Sequence, residues 1–228
     1  MITNVNLSAP IGVLLFLATA LILVVLISTL IFSQLRRKTD LTKFSFAALF
    51  LVAAGYFGLM LVFSLASSER VLARGQEKHF CEIDCHLAYS IVESKTTKVL
   101  GPPLNQISAN GLFRVVTIKT RFDENTISAT RGSSPLYPNS RVLVIVDAAG
   151  REYFPAAEAN RLLASWDQAG SPFTTPLRPG ESYLTTVVFD LPADISNPTL
   201  LIHEGEPETR YVIGHENSLL HKKTRFQI

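Results

Sequence analysis

The chain has 228 residues, 47% hydrophobic and only 18% charged, with a mean hydropathy of +0.26, which excludes a disordered chain and disfavours a purely water-soluble fold. Lys and Arg number 21 against 19 Asp and Glu, a formal charge of +2 that gives no electrostatic case for nucleic-acid binding. Two cysteines are too few for a disulfide framework.

In chain order, the first feature is the uncharged run Ile11 to Phe32, 22 residues that as a helix would span about 33 Å. The stretch before it carries no Lys or Arg, and the run is longer than the core of a secretory signal, so it is expected to be kept as a membrane helix. A second uncharged run, Phe44 to Ala66, contains Gly55 and Gly58 and the small residues Ala47, Ala48, Ala53 and Ala54. Such residues permit close helix approach, either to the first helix or to a partner's helix. Residues 1–66 therefore read as a transmembrane hairpin, with helices at about 11–32 and 44–66.

The connecting loop holds Arg36, Arg37, Lys38 and Lys43 against the single acid Asp40, so it carries +3 of the total charge. Short loops rich in Lys and Arg stay in the cytoplasm. The expected location is the bacterial cytoplasmic (inner) membrane, with two spans and both termini outside the cytoplasm.

Residues 67–85 are polar and read as a stalk that could continue the second helix. They end in the cluster His79-Phe80-Cys81-Glu82-Ile83-Asp84-Cys85-His86, which holds both cysteines and two of the five histidines. Three readings fit it. Thiols four positions apart can close a small-loop disulfide, Cys81 to Cys85, in an oxidising compartment. Cys81, Cys85, His86 and His79 supply four thiolate and imidazole donors of the kind that bind copper or zinc. Cys85-His86 also ends like a covalent haem motif, although Cys81 is one residue too distant, and His203, His215 or His221 would have to complete the axial pair. Otherwise these three histidines read as solvated, and the basic tail Lys222, Lys223, Arg225 as a weak lipid or acidic-partner contact.

Beyond the cluster the period changes to two. Val116, Ile118 and Phe122 alternate with Thr117, Lys119 and Arg121, the pattern of a half-buried strand. Arg141 to Asp147 is apolar on both faces and predicts a central strand. Ala148-Ala149-Gly150 then turns the chain into a partner at Arg151 to Phe154. Ala156 to Trp166 places Ala159, Leu162, Leu163 and Trp166 on one helical stripe, which predicts a crossover helix, with a ligand platform at Trp166 as the alternative. Tyr183 to Leu191 follows the Pro179-Gly180 turn and should face Thr185, Val187 and Phe189 inward. Leu200 to Ile202 and Tyr211 to Ile213 complete the strands. The fold class is a membrane α-helical hairpin plus an all-β part, residues 86–228, an antiparallel immunoglobulin-like sandwich with one short helix.

The order Asp147-Ala148-Ala149-Gly150-Arg151-Glu152-Tyr153, short helix, Leu177-Arg178-Pro179-Gly180-Glu181-Ser182, then Val187-Val188-Phe189-Asp190-Leu191-Pro192 resembles the bacterial immunoglobulin-like (telokin-like) extracytoplasmic domains of unknown function. The resemblance covers roughly residues 88–215. It implies a β-sandwich in the cell envelope and brings no catalytic residues. That family usually hangs from a lipoprotein or single anchor, whereas two spans precede it here. Two helices followed by a sandwich and a C-x3-C pair are also similar to subunit II of the haem-copper oxidases. There the pair lies late in the sandwich and is followed by His and Met ligands; here the pair precedes it, and Tyr89 and Val92 stand downstream.

The functional expectation is a non-catalytic envelope protein whose sandwich binds or scaffolds a membrane or envelope protein partner, in contact with the lipid bilayer and with no nucleic acid. The alternative is a metal-binding or redox protein using Cys81, Cys85 and His86 with copper, zinc or haem, as a respiratory-complex subunit would.

Overall fold

The computed structural model describes residues 8–80, 86–127, 131–205 and 207–228. These divide into two compact units: residues 8–68 with 207–222, and residues 69–205 with 223–228.

The helical unit is built on α1, Ser8–Leu35, and α2, Thr39–Ala66, each 28 residues. At 1.5 Å per residue each is about 42 Å long, enough to cross a membrane. Both extend past the apolar runs, so the loop shrinks to Arg36-Arg37-Lys38. The reason is backbone geometry. Arg37 takes φ 52°, its N–H reaches the Gln34 carbonyl at 3.0 Å, and the Lys38 N–H reaches the Ser33 carbonyl at 2.9 Å. This is the Schellman ending of a helix, which satisfies the last carbonyls with polar residues still inside the turn. Asp40 in the first turn of α2 suits the positive end of its dipole. Between the helices Ser33 and Thr42 hydroxyls share a hydrogen bond of 2.8 Å, and Ser45, Tyr56, Met60 and Ser64 form the buried face of α2. Much of the apolar surface of both helices stands open, with Leu14, Phe50 and Leu51 at 66%, 69% and 73% exposure.

The second unit is a β-sandwich. One sheet has the order β2 (Lys78–Phe80), β3 (Leu87–Leu100), β4 (Ile107–Phe122), β7 (Ser182–Leu191). The other has β1 (Arg70–Leu72), β9 (Thr224–Gln227), β8 (Thr199–Glu204), β5 (Arg141–Val146), β6 (Glu152–Tyr153). All pairs are antiparallel except β1 with β9, which run parallel. The inner faces meet in a core that includes Tyr89, Ile118, Phe122, Ile145, Phe189, Ile202 and Phe226. Val116, Ile118 and Phe122 point inward, as do Thr185, Val187 and Phe189, as their alternation predicts.

The first sheet is also covered on its outer side. There α3 (Ala157–Ser165) lays Ala159 and Leu163 on Phe113, Val115 and Val188. This explains why β4 and β7 carry apolar residues on both faces. Leu162 and Trp166 are half-buried at the margin. The Trp166 ring packs on Gly101, where an added Cβ would lie 2.5 Å from the indole.

Two expectations need correction. Of the expected stalk, residues 67–80 do not prolong α2: the helix stops at Ala66, and these residues supply β1 and β2 to the two sheets. Lys78, within the expected stalk, is 6% exposed, its ammonium donating to the Ile202 and Thr224 carbonyls at 2.7 and 3.0 Å. Those carbonyls belong to the opposite sheet, so one long cation ties the layers while its stem packs as apolar surface. Nor does Tyr211 to Ile213 form a strand. It ends the 3₁₀ turn Pro207–Tyr211 and packs in the helical unit, because Pro207 and Gly214 bracket a run too short to pair.

Candidate functional site

The described part of the Cys/His cluster is built on β2 and the start of β3. Strand register sets His79 opposite Ala88 and Phe80 opposite Leu87, so the chain doubles back and brings His79 and His86 to one end of the sheet. Both meet the turn Asp123 to Thr126 that follows β4. His79 Nε2 lies 3.2 Å from Asp123 Oδ2. His86 Nδ1 lies 2.5 Å from Thr126 Oγ1, its carbonyl accepts from the Asp123 N–H at 2.8 Å, and its ring stacks on Phe122 at 5.5 Å.

Asp123 is the hub. Its carboxylate accepts from the Asn125 N–H at 3.1 Å and from Arg121 Nη1 at 3.2 Å, while Arg121 grips Glu77 through two bonds of 2.8 and 2.7 Å. The chain Glu77, Arg121, Asp123, His79 thus joins β4 to the approach to β2. Burial pushes the Asp123 carboxyl up, but the Asn125 amide, the Arg121 guanidinium and His79 outweigh it and hold the carboxyl down at about 2. The Arg121 bidentate pair likewise holds Glu77 below its ordinary value, against its partial burial. Glu77 in turn keeps Arg121 above the usual guanidinium range.

Cys81 and Cys85, the sulfur donors of the expected set, lie outside the described residues. Of the two imidazoles, His79 is oriented by a carboxylate, the arrangement that orients ligating histidines in metal centres. His86 is 8% exposed and held by Thr126 and Phe122. Among the described residues no group of three or more metal-ligating side chains converges. His203 and His221 each set Nδ1 near a neighbouring carbonyl, at 2.8 and 2.7 Å, and His215 Nδ1 accepts from the Asn217 N–H at 3.0 Å.

The turn motifs that carry the family resemblance have structural tasks. Asp147 accepts from the Ala149 and Arg151 N–H groups at 2.9 Å and from Arg151 Nε at 2.7 Å, closing the β5 to β6 hairpin. Gly180, at φ 83°, makes the turn that delivers Glu181 and β7. Asp190 accepts from the Asn110 and Gly111 N–H groups at 2.8 and 3.0 Å, and a side chain on Gly111 would collide with the Leu191 carbonyl. Sequence reasoning missed Glu77, Arg121 and Asp123, because nothing local links residues 44 positions apart.

No family model matches the chain, and no curated protein matches it. Three solved structures are similar to it. A conserved hypothetical protein from Bacillus anthracis shares 14% identity over 57% of this chain and 87% of its own, with a TM-score of 0.40. A secreted protein of Mycobacterium tuberculosis, MPT63, shares 11% over 72% of this chain and 100% of its own, at 0.41. An uncharacterized β-sandwich protein from Clostridium difficile shares 8% over 71% and 95%, at 0.40.

Proposed function

We propose that this chain is an envelope protein, anchored in the cytoplasmic membrane by α1 and α2, whose immunoglobulin-like sandwich scaffolds or binds a membrane-protein partner without chemistry of its own. The open apolar side chains of both helices support the membrane placement, since a surface of Leu and Phe at half exposure or more is stable in lipid and costly in water. The cations of the three-residue turn support cytoplasmic placement of that turn and external placement of the rest.

One observation carries the partner reading. Gly55 and Gly58 do not face α1; the space beside each is open, while the opposite side of α2 buries Tyr56 and Met60. Exposed Ala47 and Ala54 share this open side of α2, with exposed Leu51 standing among them, so another helix meets small residues around one protruding leucine. Self-packing of the hairpin does not use these glycines.

The test is purification of the full chain from its native membrane in mild detergent, beside Gly55→Leu/Gly58→Leu. A stoichiometric membrane companion recovered with the parent and lost from the variant is the expected result. A parent that runs as a monomer without a companion overturns the proposal.

A further inference from the structure

Residues 207–222 form a long excursion between β8 and β9, and they fold with the helices. The excursion lies along the hairpin near the start of α1. A Cβ on Gly12 would collide with the Ile213 carbonyl, and Ile213 packs with Tyr56, Met60 and Phe16. The Tyr56 hydroxyl donates to the Tyr211 carbonyl at 2.5 Å, and the Lys222 N–H donates to Ser67 Oγ at 2.9 Å.

Helix geometry converts these contacts into depth. Tyr56 lies thirteen residues beyond Lys43, about 20 Å along α2, whereas the hydrocarbon layer is about 30 Å thick. On α1, Gly12 lies 24 residues before Arg36, about 36 Å. Ile213 therefore meets the hairpin at the outer boundary of the hydrocarbon, and Tyr211 meets it below that boundary. We infer that residues 207–222 are a membrane-dipping segment that inserts Tyr211, Leu219 and Leu220 among the acyl chains of the outer leaflet. The inference rests on the reading of α1 and α2 as membrane spans.

Non-helical backbone survives at such depth only if its polar groups are paired internally. Here the Tyr211 carbonyl takes the Tyr56 hydroxyl, the Val212 carbonyl takes the Ser218 hydroxyl, and the Leu219 N–H reaches the Arg210 carbonyl at 3.2 Å. Val212 and Ile213 are buried, and three other apolar residues of the segment are turned outward. Leu220 is 71% exposed and sits at φ 63°, a left-handed conformation that favours Gly or Asn and that a bulky side chain adopts under strain. Leu219 and Tyr211 are each 45% exposed. Exposed Arg210 and Lys222 flank them, the placement of cations that reach lipid phosphates while their neighbours enter the acyl region.

The experiment uses the full chain in vesicles of phosphatidylethanolamine and phosphatidylglycerol with brominated acyl chains. Leu220→Trp and, independently, Leu219→Trp serve as reporters, with the emission of native Trp166 measured in the parent and subtracted. Phe50→Trp, on the open face of α2, reports on the spans themselves. Both loop reporters are expected to be blue-shifted and quenched by about half or more relative to unbrominated vesicles. If Phe50→Trp is quenched and the loop reporters are not, the inference fails and the spans stand. Loop reporters that are blue-shifted yet unquenched overturn it as well, because protein then covers the leucines. If Phe50→Trp is itself unquenched, the reading of the spans fails, and this inference falls with it.

Discussion

At the scale of single residues, the decisive feature is a carboxylate that stays ionised in a half-dry corner. Asp123 is 7% exposed yet is held near 2, because an amide, a guanidinium and an imidazole all donate to it. An aspartate whose folded value lies below its unfolded 3.8 stabilises the fold above that value and loses the contribution as pH falls through the folded one. Glu77, also depressed, acts in the same sense. Asp123→Asn should therefore melt well below the parent at pH 7, with a loss of about 2 kcal/mol. The gap should narrow from about pH 4 and fall to less than half by about pH 2, where the carboxyl is about half protonated in the fold and almost wholly protonated in the unfolded chain. Thermal melts of both proteins across that range check this, and a gap that is equal at pH 7 and pH 2 contradicts it.

At the scale of elements, the strands legible in the sequence are those with enough length to show a period. Val116 to Phe122 and Tyr183 to Leu191 lie in β4 and β7 as expected, and Arg141 to Asp147 lies in β5 except for Asp147, which opens the turn. The elements that were not legible are short or pair with distant chain. β1 and β2 hold three residues each, and the partners of Lys78 are the carbonyls of β8 and β9, more than 120 positions away in the chain. The histidines were legible as a cluster, but their oxygen partners Asp123 and Thr126 were not, since topology alone brings that turn to them. The margin of α3 offers a test of element packing. Gly101 sits at φ 105° beneath the Trp166 ring, so Gly101→Ala meets both backbone strain and a collision. A loss of about 1–3 kcal/mol is expected, together with a red-shifted emission as the lone tryptophan is pushed into water. Unchanged melting and unchanged emission would show that the contact is dispensable.

At the scale of the whole molecule, the small net charge has one strongly organised part. Arg36, Arg37 and Lys38 fill the turn between α1 and α2, with Lys43 one turn further on, and Asp40 is the only acid among them. An even number of spans returns the chain to the side from which it set out, so a cytoplasmic turn requires residues 67–228 to be exported. Alkaline phosphatase fused after Ile228 should then be active and green fluorescent protein fused there dark, with the reverse after Lys38. Replacing the four cations by Gln should weaken this contrast, because the rule counts Lys and Arg near the span ends and gives acids little weight. An inactive phosphatase paired with a fluorescent protein at the C-terminus would invert the topology. It would also place Cys81 and Cys85 in a reducing compartment, where a standing disulfide is disfavoured and thiolate chemistry becomes the stronger reading of the cluster.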